Sequence, residues 1–574
     1  MCGALAALFL SLPGTSSRPA RDVALRPAPT SSGFSVGTAA LQPAVSEGLA
    51  AINAPEWHNA GFNGQGVKVV VIDSSFKDLS SVANVQFRDF VPNAGCDFSS
   101  AHGTAVAQIV REVAPAAEIA AYCVRDRNDL FYAADVATAP SEHVQVIVQS
   151  LSWFNSSAGN GTLAPPGTPE ALAAQARARG ILWINSVGNF AQRHWSGTFA
   201  DADGDTWHNF TPTDEGNSFS LPSGAEICAY LKWNEWPGSA NNFNFSLWRQ
   251  LLPGGSTEEQ LETGSSGYPA GHLFGSANPQ NGGDPPIEQF CYRNESPDEM
   301  QTFLAIQRVA STGTSRFDLF INRFALQYTE AAGSVVEPAT SPDAMAVGAA
   351  CWQGTQAEPY SSRGPTIDGR TKPDLVGPDS VTSPYAEFGP FAGCGVSGFR
   401  GSSAAAPHVA GAAALVFQRF PGSGPVQVQA YLESNARDLA PAGKDNASGA
   451  GMLRLPALTP PPPPPSPPPP PPPRLRVVDF RTSPKRLRPG SHLRAQAMIT
   501  VDDAVLSGGG QVLCSATVGS RALRARSARF RNRFAECVWT VPRAAKGKVL
   551  RGSVGASYRG ATIRKSFRLR VRSA

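Results

Sequence analysis

VKVVVID, residues 67–73, is an almost unbroken apolar run that ends on an aspartate. Its length is that of one strand, and the lack of polar alternation suits a strand covered on both faces. Four further runs share this character: EIAAYCV (118–124), VQVIVQSL (144–151), ILWINSVG (181–188) and AMAVGA (344–349). Between them lie stretches of helical pattern, TAVAQIVREV (104–113) and PEALAAQARARG (169–180), the second of which Gly180 should end. Strand and helix in alternation predict an α/β fold, a mostly parallel sheet flanked by helices.

The alternation stops near Ala200. Residues 201–330 are rich in Asn, Gly, Ser and aromatics, with short alternating runs such as EICAYLKW (226–233), NFNFSLW (242–248) and RFDLFINRF (316–324). These predict an inserted antiparallel β-sandwich. The α/β pattern resumes at 331–455, so that 46–200 and 331–455 form one domain. Residues 460–473 are all proline except Ser466 and read as a semi-rigid rod of roughly 40 Å, the centre of a linker at 456–473. Residues 474–574 alternate apolar and basic residues, as in RLRVVDF and SFRLRVR, and suit a small β-sandwich-like domain. At the other end, MCGALAALFLSLPG has the length of a signal-peptide core and is too short to span a bilayer. Residues 1–19 are therefore expected to be a signal peptide and 20–45 a flexible lead-in or short pro-segment.

An apolar fraction of 42% over 574 residues supports real cores and excludes wholesale disorder. The net charge of +4 hides an asymmetry. From Arg474 to Ala574 there are 23 Lys and Arg against 4 Asp and Glu, a balance of +19, which leaves −15 for the rest. The nine cysteines contain no CxxC pair, which removes support for a zinc ribbon or thioredoxin-like site. Without Cys2 an even eight remain, as suits disulfides in an oxidising compartment. Sequence-adjacent pairing (96–123, 228–291, 351–394, 514–537) is the expectation, one of 105 connectivities; buried free thiols are the alternative. The protein is expected to be secreted or associated with the cell surface.

Three residues then stand out. Asp73 closes its strand where open α/β sheets place their sites, although such a residue alone is more often a helix cap or turn residue. His102 opens AHGTAVAQIV, whose small residues could pack closely as a helix. Ser403 lies in FRGSSAAAPHVAGAAALVFQRF (399–420). Pro407 bars a helix from starting much before Ser403, because proline is tolerated only near a helix start. That places the hydroxyl at a helix N-terminus, where backbone N–H groups favour developing negative charge.

The chain order Asp, His, Ser is one of the orders in which convergent catalytic triads occur. Here the chain resembles the subtilisin-like serine peptidases, the subtilases. VVVIDSS is similar to the family's aspartate motif, HGTAVA to its histidine motif and GSSAAAPHVAG to its serine motif. SVGN, ending in Asn189, resembles the oxyanion-hole segment, and QSLS (149–152) the strand that pairs with substrate. SPDAMAVGA and YSSRGPTIDGRTKPDLVGP also fit. The resemblance covers about half the chain. It implies a serine endopeptidase with Asp73, His102 and Ser403 as triad, Asn189 as oxyanion donor, and Ser150, Leu151, Ser152 and Gly188 against the substrate. It departs from the family's pattern at Ser75, where a glycine is usual, at Gln108, at Ser152, and at Ser402 and Ala404, which replace a usual Thr and Met. The lead-in is short for the family's folded propeptide.

The chemistry needs no cofactor. DADGDTWHNF (201–210) spaces carboxylates like part of a calcium loop, so Asp201, Asp203 and Asp205 are candidate ligands for a structural calcium; a solvated acidic turn is the other reading. Protein or peptide substrates are expected, and Trp153 and Phe154 are expected at the rim of their cleft. The basic tail suits an anionic cell-surface polymer or serves solubility alone. It shows no nucleic-acid recognition motif, and a monomer is expected. The rivals to hydrolysis are a binding protein on the same scaffold and a peptide ligase.

Overall fold

All six residues of β1 (Lys68–Asp73) are buried, as a strand covered on both faces requires. The computed structural model describes residues 45–161, 164–251, 257–262, 271–389, 394, 398–458 and 473–572. The expected signal peptide, nearly all of the lead-in and most of the proline segment lie outside these. Two compact units divide the chain, Met1–Thr459 and Pro460–Ala574.

In the first unit β1 is followed by β2 (Val85–Asp89), β3 (Glu118–Cys123), β4 (Val146–Gln149) and β5 (Leu182–Ser186). The chain then leaves this layer for eight strands: β6 (His194–Thr198), β7 (Asn217–Leu221), β8 (Glu226–Trp233), β9 (Asn242–Arg249), β10 (His272–Ser276), β11 (Ile287–Arg293), β12 (Met300–Ala310) and β13 (Arg316–Ile321). It returns as β14 (Ala344–Cys351) and β15 (Leu375–Asp379). The central sheet has seven strands in the order β15-β14-β5-β4-β1-β3-β2, every pairing parallel.

Alternate residues of its strands feed two cores, as the two-residue period dictates. Val69, Val71, Ile119, Val148 and Ile184 pack with the helices His102–Val113 and Ser402–Arg419. Val70, Ile72, Ala120, Ile147 and Trp183 pack with the helices Arg127–Ala137 and Pro169–Ala178. Gly180 follows the latter at φ 81°, the left-handed stop read from the sequence. The His102 and Ser403 helices approach closely because their facing residues are small. A Cβ on Gly411 would lie 2.5 Å from the Val113 side chain.

The eight intervening strands form two antiparallel sheets, β10-β9-β12-β7 and β11-β8-β13-β6. Phe243, Phe245 and Leu247 of β9 meet Ile227, Leu231, Phe317 and Leu319 of β8 and β13 in one core, a β-sandwich. β6 already belongs to this layer although its sequence precedes Asp201.

The second unit has β16 (Leu475–Ser483), β17 (His492–Val501), β18 (Ala504–Val505), β19 (Gln511–Val518), β20 (Arg521–Ala522), β21 (Ser527–Arg531), β22 (Phe534–Thr540), β23 (Val549–Tyr558) and β24 (Ala561–Arg570). They form one sheet in the order β16-β17-β22-β21, with β18 beside β17, and another in the order β20-β19-β23-β24. A parallel α/β sheet flanked by helices, with added antiparallel β layers, is thus the fold, as the sequence led one to expect. All four disulfides join sequence-adjacent cysteines: Cys96–Cys123, Cys228–Cys291, Cys351–Cys394 and Cys514–Cys537. The last ties the two sheets of the second unit together. No helix among the described residues is long and apolar enough to cross a membrane.

Candidate active site

β1 has β3 on one side and β4 on the other, so the chain reverses its direction of travel across the sheet there. Such a switch point opens a crevice at the carboxyl ends of the strands. Asp73 ends β1 inside it, its side chain 0% exposed. The carboxylate accepts from the Ser74 N–H at 2.8 Å. His102 Nδ1 lies 2.9 Å from Asp73 Oδ2 and 3.0 Å from Oδ1. The carboxylate can only accept, so Nδ1 carries the proton and Nε2 is left as the base.

His102 is the first residue of its helix, and Gly103 explains how the ring reaches Asp73. A Cβ on Gly103 would lie 2.7 Å from Asp73 Cβ and from the Ser75 carbonyl oxygen. Glu387, far along the chain, fixes the same turn: its Oε1 accepts from the Ser100 hydroxyl at 2.7 Å and the Ala101 N–H at 2.9 Å. Burial pushes the imidazole toward neutrality. The charge and hydrogen bond of Asp73, with the charge of Glu387, outweigh it and hold His102 above its ordinary value.

Ser403 is the second residue of the helix Ser402–Arg419. Pro407 stands one turn deeper than a first-turn proline should, and the structure supplies the reason. A residue there would normally donate to the Ser403 carbonyl; the Ser150 hydroxyl takes that place at 3.2 Å. The Ser403 hydroxyl in turn donates to the Ser150 carbonyl at 3.4 Å. Both Ser403 and His102 are described residues, and no hydrogen bond joins them. Catalytic hydrogen bonds commonly tighten only with substrate bound.

Asn189 is fixed by Ser402. The Ser402 N–H donates to Asn189 Oδ1 at 2.9 Å and the Ser402 hydroxyl to the same oxygen at 3.2 Å. The amide nitrogen is therefore turned toward the start of the Ser403 helix: a Cβ on Gly401 would lie 2.7 Å from Asn189 Nδ2. Gly401 itself sits at φ 106°, a conformation that glycine alone adopts readily. Its N–H donates to the buried Asp379 carboxylate at 2.6 Å, whose other oxygen meets the Tyr360 hydroxyl. Neither Glu387 nor Asp379 was singled out from the sequence, because nothing local marks a residue whose partner lies far along the chain.

Ser150 and Leu151 follow β4 directly. The Leu151 carbonyl accepts from the Asn185 amide at 3.3 Å, and Ser152 stays half-buried. Gly188 has both backbone groups engaged: its N–H reaches the Ser402 hydroxyl at 3.2 Å and its carbonyl accepts from the Ser362 N–H at 3.0 Å. It turns the chain at φ 101°, and its carbonyl keeps a second acceptor lone pair. Trp153 is buried. Phe154 stacks on Tyr230 of β8 at 4.4 Å and meets Phe190 at 5.1 Å and Phe320 of β13 at 5.3 Å. The sandwich thus braces the segments that carry residues 150–152 and Asn189.

Asp201, Asp203 and Asp205 come together, their nearest carboxylate oxygens within 4.8 Å of one another. Asp201 also pairs with Arg308 and accepts from the Gly204 N–H at 2.8 Å. Burial raises the Asp205 carboxyl, and the charges of Asp203 and Asp201 add to the rise. Three like charges at this separation suit a hard divalent cation, with Arg308 neutralising part of the cluster.

A buried carboxylate–imidazole pair, a hydroxyl at a helix N-terminus and an amide held by that same helix start are the parts of acyl-transfer chemistry. Comparison with known proteins agrees. The chain resembles the subtilisin-like serine peptidases, and residues 277–451 match the Subtilase family. The matched segment contains Ser403 and leaves out Asp73, His102 and Asn189. Subtilisin Savinase of Lederbergia lenta is 34% identical over 155 residues, 27% of this chain and 51% of that protein. An alkaline protease of Alkalihalobacillus alcalophilus is also 34% identical over 155 residues, which is 36% of its length. An extracellular serine protease of Serratia marcescens is 47% identical over 55 residues, 10% of this chain and 5% of that protein. The chain thus spans about half or less of the length of these relatives. The Clostridium perfringens CspB protease superposes with a TM-score of 0.48 at 18% identity, covering 71% of this chain and 97% of that one.

Proposed function

We propose that the protein is a secreted serine endopeptidase that hydrolyses peptide bonds through an acyl-enzyme on Ser403. The observation that carries this reading is the 2.9 Å contact of His102 Nδ1 with the buried Asp73. Ser403 Oγ attacks the scissile carbonyl while His102 Nε2 takes its proton. Asp73 holds the imidazole tautomer and stabilises the imidazolium. The Asn189 amide N–H2 and the Ser403 backbone N–H receive the oxyanion. His102 then protonates the leaving amine, and water releases the acid by the reverse steps. Extended substrate pairs with the backbone of 150–152 in the manner of β-strand addition. Four disulfides and a relative named as extracellular support secretion. Digestion of a diverse peptide library, read by mass spectrometry, tests the activity. Shortened peptides with free new termini are expected; ligated or cyclised products, or none at all, would contradict it.

The base must be neutral to work, so the raised His102 value sets the acid limb of kcat/KM. That limb is expected above the ordinary histidine value of about 6.5. Removing one anionic neighbour stabilises the imidazolium less, so Glu387→Gln should move the limb to lower pH while the amide oxygen still accepts from Ala101. A limb below 6.5 in the native protein, or a shift to higher pH in the variant, would count against this arrangement.

Structural calcium at Asp201, Asp203 and Asp205 belongs to the same reading and takes no part in the chemistry. Calorimetric titration with calcium should show one site in the native protein and none in Asp203→Ala. Equal heats from both would leave the loop as a solvated acidic turn. The basic unit is read as a tether to an anionic cell-surface polymer, and the protein is taken to act as a monomer.

A further inference from the structure

The positive charge of the second unit is not spread evenly over its two sheets. Its four acids are Asp479, Asp502, Asp503 and Glu536. They lie on β16, on β22 and in the turn between β17 and β18, so β19, β20, β23 and β24 contain none. The two ion pairs among the described residues of this unit, Arg481–Asp479 and Arg494–Glu536, are both on the first sheet.

The strand register shows what the acid-free sheet presents. Ser515 of β19 stands opposite Ser553 of β23, which stands opposite Ser566 of β24. The next rung on the same face is Thr517, Arg551 and Arg568. The opposite face, through Ala516, Val518, Leu550, Val554 and Ala556, is core. Ser515 and Ser553 share a 2.7 Å hydrogen bond, and Ser515, Thr517, Arg551, Ser553, Ser566 and Arg568 line a depression in the outer face. Arg564 stands on the same face of β24, about 14 Å from Arg568 at the usual rise of a strand.

Two features call for a ligand. Like charges directly opposite in an antiparallel pair are destabilising, yet Arg551 and Arg568 face each other, exposed and, among the described residues, without an ion pair. Charge on an edge strand such as β24 can be explained as protection against sheet-to-sheet pairing. That explanation does not reach Arg551, which lies on the interior strand β23.

We propose that this face binds an acidic polysaccharide along β24, which rests on the tether reading above. The guanidinium groups of Arg551, Arg564 and Arg568 receive the carboxylates or sulfates in bidentate fashion. The hydroxyls of Ser515, Thr517 and Ser566 meet the hydroxyls of the sugar rings. The face lacks the exposed aromatic platforms, among the described residues, on which single-stranded nucleic acid would stack. A glycan needs only the hydrogen-bonding surface that is present.

The test uses the full chain on immobilised polygalacturonate, with neutral dextran, polyphosphate and duplex DNA as parallel matrices. Retention on polygalacturonate that weakens with salt, and none on dextran, is expected. The Arg551→Gln/Arg568→Gln double variant should bind polygalacturonate about tenfold or more weakly. Arg529→Gln/Arg531→Gln, the same charge change on β21 of the other sheet, should bind within about twofold of native, and cleavage of a free peptide should be unchanged in both. Equal weakening in the two variants would reduce the face to net charge and overturn the proposal. Tighter binding to polyphosphate or DNA than to polygalacturonate would overturn the glycan as occupant. Failure to bind any anionic matrix would overturn the tether reading itself.

Discussion

Replacing His102 with alanine should lower kcat by about a millionfold while KM stays within a few-fold. The size follows from the proposed reading, in which the three side chains act as one unit. Without the imidazole the Ser403 hydroxyl has no acceptor for its proton, since its present partner is the Ser150 carbonyl at 3.4 Å, which cannot relay a proton. Asp73→Asn should be less severe, about 10⁴, because the ring stays but its tautomer is no longer enforced. The triple variant at 73, 102 and 403 should be hardly worse than the single His102 change. Additive losses across the three, measured by steady-state kinetics on one peptide, would mean that they do not form a unit. Fold is not at stake in His102→Ala: the ring is partly exposed, and the helix it begins is anchored by Gly103 and by Glu387. An unchanged unfolding midpoint would separate lost chemistry from lost structure.

Asn189→Ala should lower kcat by about 10²–10³, or roughly 2.7–4 kcal/mol of transition-state stabilisation; that range was measured on such a donor in a subtilisin. KM should stay nearly constant, because the donor is aimed at an oxyanion that exists only after attack. The structure makes this asymmetry specific. Ser402 donates twice to Asn189 Oδ1, so the amide is oriented before substrate arrives. Ser402→Ala removes the hydroxyl that donates to Asn189 and accepts from the Gly188 N–H but leaves the 2.9 Å backbone contact, so its loss should be smaller and again confined to kcat. A rise in KM with kcat intact, in either variant, would assign Asn189 to ground-state binding.

Much of the fold was legible because burial on both faces leaves a plain mark. The runs 67–73, 118–124, 144–151 and 181–188 each contain a strand of the central sheet, whereas Pro407 stands one turn deeper in the Ser403 helix than a first-turn proline. β2 and β15 escaped notice: VQFRD is only partly buried, and LVGPD carries glycine and proline, so neither shows a clean period. β6 was assigned to the α/β layer on position in the chain, whereas its register with β13 puts it in the sandwich. Around the site, local motifs pointed to Asp73, His102, Asn189 and Ser403, and the first two have their side chains in contact. Glu387 and Asp379 were invisible, since each acts on backbone N–H groups more than twenty residues away. Gly188 illustrates the opposite limit: a motif residue whose hydrogen bonds turn out to be engaged within the protein.

The central claim is that Ser403, beside His102 and Asn189, is the nucleophile. Intact-mass and peptide-mapping spectrometry after treatment with a serine-directed phosphonate tests it most directly. One adduct, mapped to Ser403, is expected, with none on Ser403→Ala and almost none on His102→Ala. An adduct on the adjacent Ser402, or one that persists undiminished in Ser403→Ala, would contradict the account.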